Sequence, residues 1–129
     1  MANKNIYSTI LLISSNKKNG DLLEKFISSN LEEDSEFKII SSSSVEDADK
    51  IINKNLTNLS YAIIDLSNLN SDVWSICQKL RQNNIEFLLL SSVEVPDGRS
   101  LVAKSGAVDL LIKPLKKREL LSIIKELNS

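Results

Sequence analysis

The amino-acid sequence predicts an α/β fold, a doubly wound parallel sheet with helices on both faces. Three observations lead there. Short apolar runs alternate along the chain with longer stretches whose apolar residues recur at helical spacing. Each run stops on a polar residue: Ile10-Leu11-Leu12-Ile13 on Ser14, Tyr61-Ala62-Ile63-Ile64 on Asp65, Phe87-Leu88-Leu89-Leu90 on Ser91, and Leu110-Leu111-Ile112 on Lys113. The runs are apolar at consecutive positions rather than alternate ones, as strands buried on both faces are. A strict βαβαβαβαβα order of this kind gives parallel strands joined by crossover helices. With five strands and a buried centre, the expected arrangement is the flavodoxin-like (βα)5 order 2-1-3-4-5.

The elements follow in order. Ser8 to Ile13 reads as the first strand, and Asn16 could cap the helix after it. From Lys17 to Asn30 the residues Leu22, Leu23, Phe26 and Ile27 form a helical stripe, with Gly20 a weak point in its first turn. Leu31 to Ser35 is an acidic connector. Glu36 to Ser41 is a short second strand. Ser44, followed three residues later by Asp47, is a capping-box pattern, and Val45, Ala48, Ile51 and Ile52 give the second helix its apolar face. Asn53 to Ser60 returns the chain to the central strand, Tyr61 to Asp65. After the polar loop Leu66 to Asn70, Ser71 or Asp72 can cap a third helix carrying Val73, Trp74, Ile76, Cys77 and Leu80. Glu86 to Leu90 is the fourth strand. Pro96-Asp97-Gly98 opens a shorter helix through Lys104, and Gly106 suits the left-handed position that ends it. Val108 to Ile112 is the fifth strand. Lys113-Pro114 breaks the chain before an amphipathic helix, Lys116 to Leu127, with Leu120, Leu121, Ile123, Ile124 and Leu127 on one face. No internal repeat or linker interrupts residues 1–129, which are expected to form one domain.

Composition removes several function classes. The chain has 129 residues, a net charge of −1, 42% hydrophobic and 26% charged residues, which is ordinary for a globular protein. That balance argues against an electrostatic nucleic-acid or membrane binder. No run is long enough to span a bilayer, and Met1 to Tyr7 lacks the apolar core of a signal peptide. The lone Cys77 cannot form an internal disulfide, which fits a reducing, cytoplasmic setting. There is no histidine. Histidine bases, imidazole metal ligands and phosphohistidine are therefore excluded, and one cysteine is too few for zinc.

A parallel sheet brings the strand ends together, so Ser14, Asp65, Ser91 and Lys113 are expected at one edge, where open α/β sheets keep their sites. Ser14 and Ser15 make poor nucleophiles without a histidine base and with Lys113 protonated. Cys77 reads as core. Trp74 has two readings, core or partly exposed lid. Lys116-Lys117-Arg118 is either a solvated face or a patch for an acidic partner.

At these residues the sequence resembles a response-regulator receiver domain of two-component signalling, over almost its whole length. Ile10 to Asn16 stands where the family has an apolar strand followed by two acidic residues. Ile63-Ile64-Asp65 stands where it has the phosphorylated aspartate. Arg81 matches a common family position. Leu89-Leu90-Ser91-Ser92 resembles the strand that ends on the switch hydroxyl. Ser105-Gly106-Ala107 and Leu111-Ile112-Lys113-Pro114 resemble the Gly-Ala turn and the Lys-Pro pair. The departures are Ser14 and Ser15 in place of the acidic pair, Leu69 for a proline, Val73 for a glycine, and Leu110 for the switch aromatic.

The resemblance implies Asp65 as phosphoacceptor, with Ser91 and Lys113 contacting the phosphoryl group, and no enzymatic site. It implies Mg²⁺ between the acidic pair and the acceptor, but serine hydroxyls are poor Mg²⁺ ligands. Only Asp65 and the Ser67 carbonyl remain, so Mg²⁺ is expected to bind weakly at best and no other cofactor is expected. Without metal, two unit charges at about 4 Å repel by roughly 1 kcal/mol in water and about 4 kcal/mol at an effective dielectric near 20. The expected resting site is an Asp65–Lys113 pair among serines, balanced without metal. The expected function is a degenerate receiver acting by protein–protein interaction. Its partners would be a histidine kinase or an output domain docking on residues 97–127, with a homodimer possible through the same face. One alternative keeps phosphorylation of Asp65 by a histidine kinase. Another is a flavin or nucleotide-phosphate binder using the polar loop Ser14 to Asn19.

Overall fold

A computed structural model describes residues 8–14, 17–30, 37–55, 59–66, 73–92 and 97–113, with isolated positions at 116, 118, 119 and 122. The strands are β1 (Ser8–Ile13), β2 (Phe37–Ser42), β3 (Leu59–Asp65), β4 (Glu86–Ser91) and β5 (Asp109–Ile112). The helices are α1 (Lys17–Asn30), α2 (Val45–Asn55), α3 (Val73–Gln82) and α4 (Gly98–Ser105). All strand pairs are parallel and the order is β2-β1-β3-β4-β5, the flavodoxin-like arrangement expected from the sequence. Residues 118, 119 and 122 are helical, while the rest of the final helix expected at 116–127 beyond residue 116, the acidic connector, the loop after Leu66 and its caps, and the Asn16 cap lie outside the described residues.

The pleat sorts the apolar runs into two cores. Leu11 and Ile13, Ala62 and Ile64, and Phe87 and Leu89 face α2 and α3, meeting Ala48, Ile52, Val73, Ile76, Cys77 and Leu80. Ile10 and Leu12, Tyr61 and Ile63, and Leu88 and Leu90 face the other way and meet Leu23 and Ile27 of α1. Every residue from Tyr61 to Asp65 is buried, so the central strand is covered on both faces as its unbroken apolar run requires.

Element ends differ from expectation in physically readable ways. Strand β3 starts at Leu59 rather than Tyr61, because Leu59 pairs with Thr9 while Tyr61 pairs with the next residue, Ile10. Ser60 is the extra, exposed residue of that bulge, which hides the strand's start in a polar-looking stretch. Strand β2 runs one residue past Ser41, since Ser42 pairs with Ile13 and its carbonyl accepts the Ser14 N–H at 2.9 Å. The Ser44 hydroxyl accepts the Asp47 N–H at 3.0 Å, giving α2 the cap its sequence promised. Helix α4 ends at Gly106 with φ 85°, and its N–H donates to Val102 at 2.9 Å. A Cβ there would lie 2.3 Å from Cδ of Arg81, so glycine is required both by the left-handed backbone and by the arginine laid across it.

Cys77 is core, 2% exposed, and burial pushes its thiol up from 9.0 to about 11. The unfolded chain releases this proton near pH 9 and the folded chain only near pH 11. Cys77 therefore leaves stability unchanged below pH 9 and weakens the fold as pH rises from 9 towards 11. Between pH 8 and pH 10.5, urea midpoints are expected to fall further for the native chain than for Cys77→Ala. Equal falls would show that the thiol ionises alike in both states.

Candidate functional site

The site stands at the carboxyl ends of β1, β3, β4 and β5. Backbone bonds carry the sheet one step past its strands and fix the residues there. Leu66 N–H donates to the Leu90 carbonyl at 2.8 Å, and Lys113 N–H donates to the Ser91 carbonyl at 2.8 Å. Ile13 pairs with Ile64, so Ser14 falls beside Asp65 one step on. Leu90 pairs with Asp65, and Ile112 with Ser91. Four positions far apart in sequence thus reach one edge because parallel strands share a direction.

Within this edge the deciding contact is ionic. Nζ of Lys113 donates to Oδ2 of Asp65 at 2.5 Å. The carboxylate is buried, with its side chain 2% exposed, while the lysine side chain keeps 26% of its surface in solvent. Lys113 reaches it from the residue position after β5, at the same parity as Leu111. Ser14, Ser91 and Asp65 are all nearly inaccessible. By strand parity Ser14 and Asp65 lie on the α1 side with Leu12 and Ile63, whereas Ser91 shares the parity of Phe87 and Leu89 on the α2–α3 side. Lys113 is tied to Ser91 through the backbone, by the bond from its N–H to the Ser91 carbonyl. Ser15 and Ser67 lie outside the described residues, as does Asn16, and Lys17 to Asn19 of the expected phosphate-binding loop are the first turn of α1 rather than loop.

The structure also places two residues that the sequence leaves open, Gly20 and Trp74. Gly20, a weak helix former, is buried, and a Cβ there would stand 3.5 Å from Cβ of Ser14. The first turn of α1 lies over the β1 end, and 3.5 Å is an ordinary van der Waals contact, so the position has room for a side chain's Cβ. Trp74 is 42% exposed, which settles it as a surface residue of α3. It borders a groove between α3 and α4.

The donor set can be tested against Mg²⁺. That ion takes near-octahedral oxygen ligands, with carboxylates anchoring it. Here the β1 end offers the Ser14 hydroxyl, and the Asp65 carboxylate already accepts from Lys113. Among the described residues no three His, Cys, Asp or Glu side chains cluster to hold a metal. The described residues fit an ion pair and do not fit a Mg²⁺ site.

No protein-family model matches this sequence, and no curated protein matches it. Solved structures do. The signal receiver domain of the DNA-binding response regulator merR from Colwellia psychrerythraea 34H superposes with TM-score 0.78 at 24% identity, over 93% of this chain and 97% of that one. The fold is the receiver-domain fold. The BeF3-activated receiver domain of RstA from Klebsiella pneumoniae shares it, with TM-score 0.75, 17% identity, and 95% and 100% of the two chains covered. So does a pilus assembly-related protein from Burkholderia pseudomallei, with TM-score 0.74, 18% identity, and 98% and 93% covered. A receiver fold is therefore carried by proteins described in different terms, and function has to be argued from this chain's own site. Among the described residues no helix is long and apolar enough to cross a membrane.

Proposed function

We propose that this chain is a degenerate receiver domain of two-component signalling, a non-catalytic, cytoplasmic module that works by protein–protein interaction with impaired Mg²⁺-dependent phosphorylation. The observation that carries the reading is the Lys113–Asp65 bond at 2.5 Å beside the buried, neutral Ser14. An ordinary receiver pocket is anionic until metal binds it. This one pairs its carboxylate with a lysine, so its charge balances in the resting state. Attack by Asp65 on an anionic phosphoryl donor would then lack the cation that cancels repulsion and fixes the in-line geometry. Partners, a histidine kinase or an output domain, would meet residues 97–127, and a second copy could use the same face. The exposed Val108 precedes β5 and the exposed Ile112 ends it there, and β5 is the sheet's edge strand.

Titration with Mg²⁺ followed by beryllium fluoride, read by NMR and by Trp74 fluorescence, tests this. No shift at Asp65, Ser91 or Lys113 is expected at millimolar metal. Saturable shifts at those three residues would overturn the reading. They would favour the second one, in which Asp65 is still phosphorylated by a histidine kinase, for which the convergence of Asp65, Ser91 and Lys113 at one sheet edge speaks.

A further inference from the structure

We infer that the groove between α3 and α4 is a docking site for a short acidic segment of a partner protein that inserts one apolar side chain. This deepens the partner-binding reading above and rests on it, extending the expected 97–127 face from α4 onto α3 and adding the chemistry of what it takes.

The groove holds about 410 Å³ and is lined by Trp74, Cys77, Gln78 and Arg81 from α3 and Leu101, Lys104 and Ser105 from α4. Its apolar part comes from Leu101, the Cys77 thiol and the half-exposed indole of Trp74. An exposed tryptophan on a helix whose other apolar residues are buried is an unusual outlay of surface, and aromatic residues of this kind anchor interfaces. The charged part is of one sign. Helix α3 carries Lys79 and Arg81 and no acid, and α4 carries Arg99 and Lys104 and no acid. Lys79 is engaged, since Nζ bonds Oδ1 of Asp49 on α2 at 2.5 Å. Arg81 instead donates to the backbone carbonyl of Lys104 at 3.5 Å, and among the described residues no carboxylate pairs with Arg81 or Lys104. A local excess of cations on a chain of net charge −1 is a directional feature, not a general basicity.

An acidic peptide fits this better than a nucleic acid does. Two cations around an apolar floor match one or two carboxylates flanking a Leu or Phe. A phosphate backbone needs a longer basic track and meets a chain that is negative overall.

The experiment titrates the full chain with the synthetic peptide Glu-Glu-Leu-Phe-Asp-Glu and follows Trp74, the only tryptophan. A saturable fluorescence change is expected, weakening as salt screens the contact. Lys104→Glu and Gln78→Glu, both at exposed positions, are each expected to weaken binding about tenfold. Neither touches the arginine that packs on Gly106, so either can carry the result if the other fails to fold. The idea is overturned by no saturable change at millimolar peptide, or by equal binding of Lys-Lys-Leu-Phe-Lys-Lys. It is equally overturned by variants that bind as well as the native chain, or by a ten-residue oligothymidine binding as tightly as the peptide. A negative result here beside a silent magnesium titration removes the groove alone, whereas a positive magnesium titration removes the functional reading.

Discussion

Lys113→Met is expected to lower the stability of the fold by about 2–3 kcal/mol, read as a fall in the urea midpoint with an unchanged slope. The reason is what the substitution strands. Asp65 is 1% exposed as a residue and sits at the end of a strand covered on both faces. Removing the partner of a buried ion pair costs about 3–5 kcal/mol because a charge is left without compensation. Lys113 keeps 26% of its side chain in solvent, so screening and water entry lower that figure. The double variant Asp65→Asn with Lys113→Met removes both charges and is expected to be more stable than Lys113→Met alone. That ordering is the informative part. A single variant within about 0.5 kcal/mol of the native chain would make the pair equivalent to an exposed one, and the balanced-pocket argument would fail with it.

The fold was legible because its signal is redundant. Three of the apolar runs are buried on both faces, so each strand announces itself by composition and by where it stops on Ser14, Asp65 or Ser91. The Asp65–Lys113 contact joins residues 48 apart in sequence, yet parallel topology alone brings their strand ends to one edge. What escaped the sequence depends on three-dimensional neighbours. The β3 start was hidden because a bulge puts the polar Ser60 outward just where alternation would be read. Gly20 is buried only because the first turn of α1 packs on the β1 end beside Ser14. Trp74 could be core or surface from spacing alone, since an indole at the edge of a helical stripe satisfies both patterns. The α3–α4 groove has no sequence signature beyond two helices without acids. Its meaning comes from their adjacency.

The strongest test of why this pocket differs is to put back what it lacks. Ser14→Asp is expected to destabilise the metal-free protein by several kcal/mol, and so to lower the melting temperature by about 10 °C. The introduced carboxylate would stand beside Asp65 in a position that is 3% exposed, and Lys113 can neutralise only one of the two. Two carboxylates about 4 Å apart repel by about 4 kcal/mol at an effective dielectric near 20. Mg²⁺ should then recover part of the loss, about 1.4 kcal/mol at tenfold excess over its dissociation constant, since only the folded state presents both carboxylates to it. The native chain, whose single carboxylate is held by lysine, should gain nothing from the same metal. A native chain that gains as much as Ser14→Asp would mean that Asp65 exchanges Lys113 for the ion freely, and the serine at the β1 end would then not be what separates this site from a metal-dependent one.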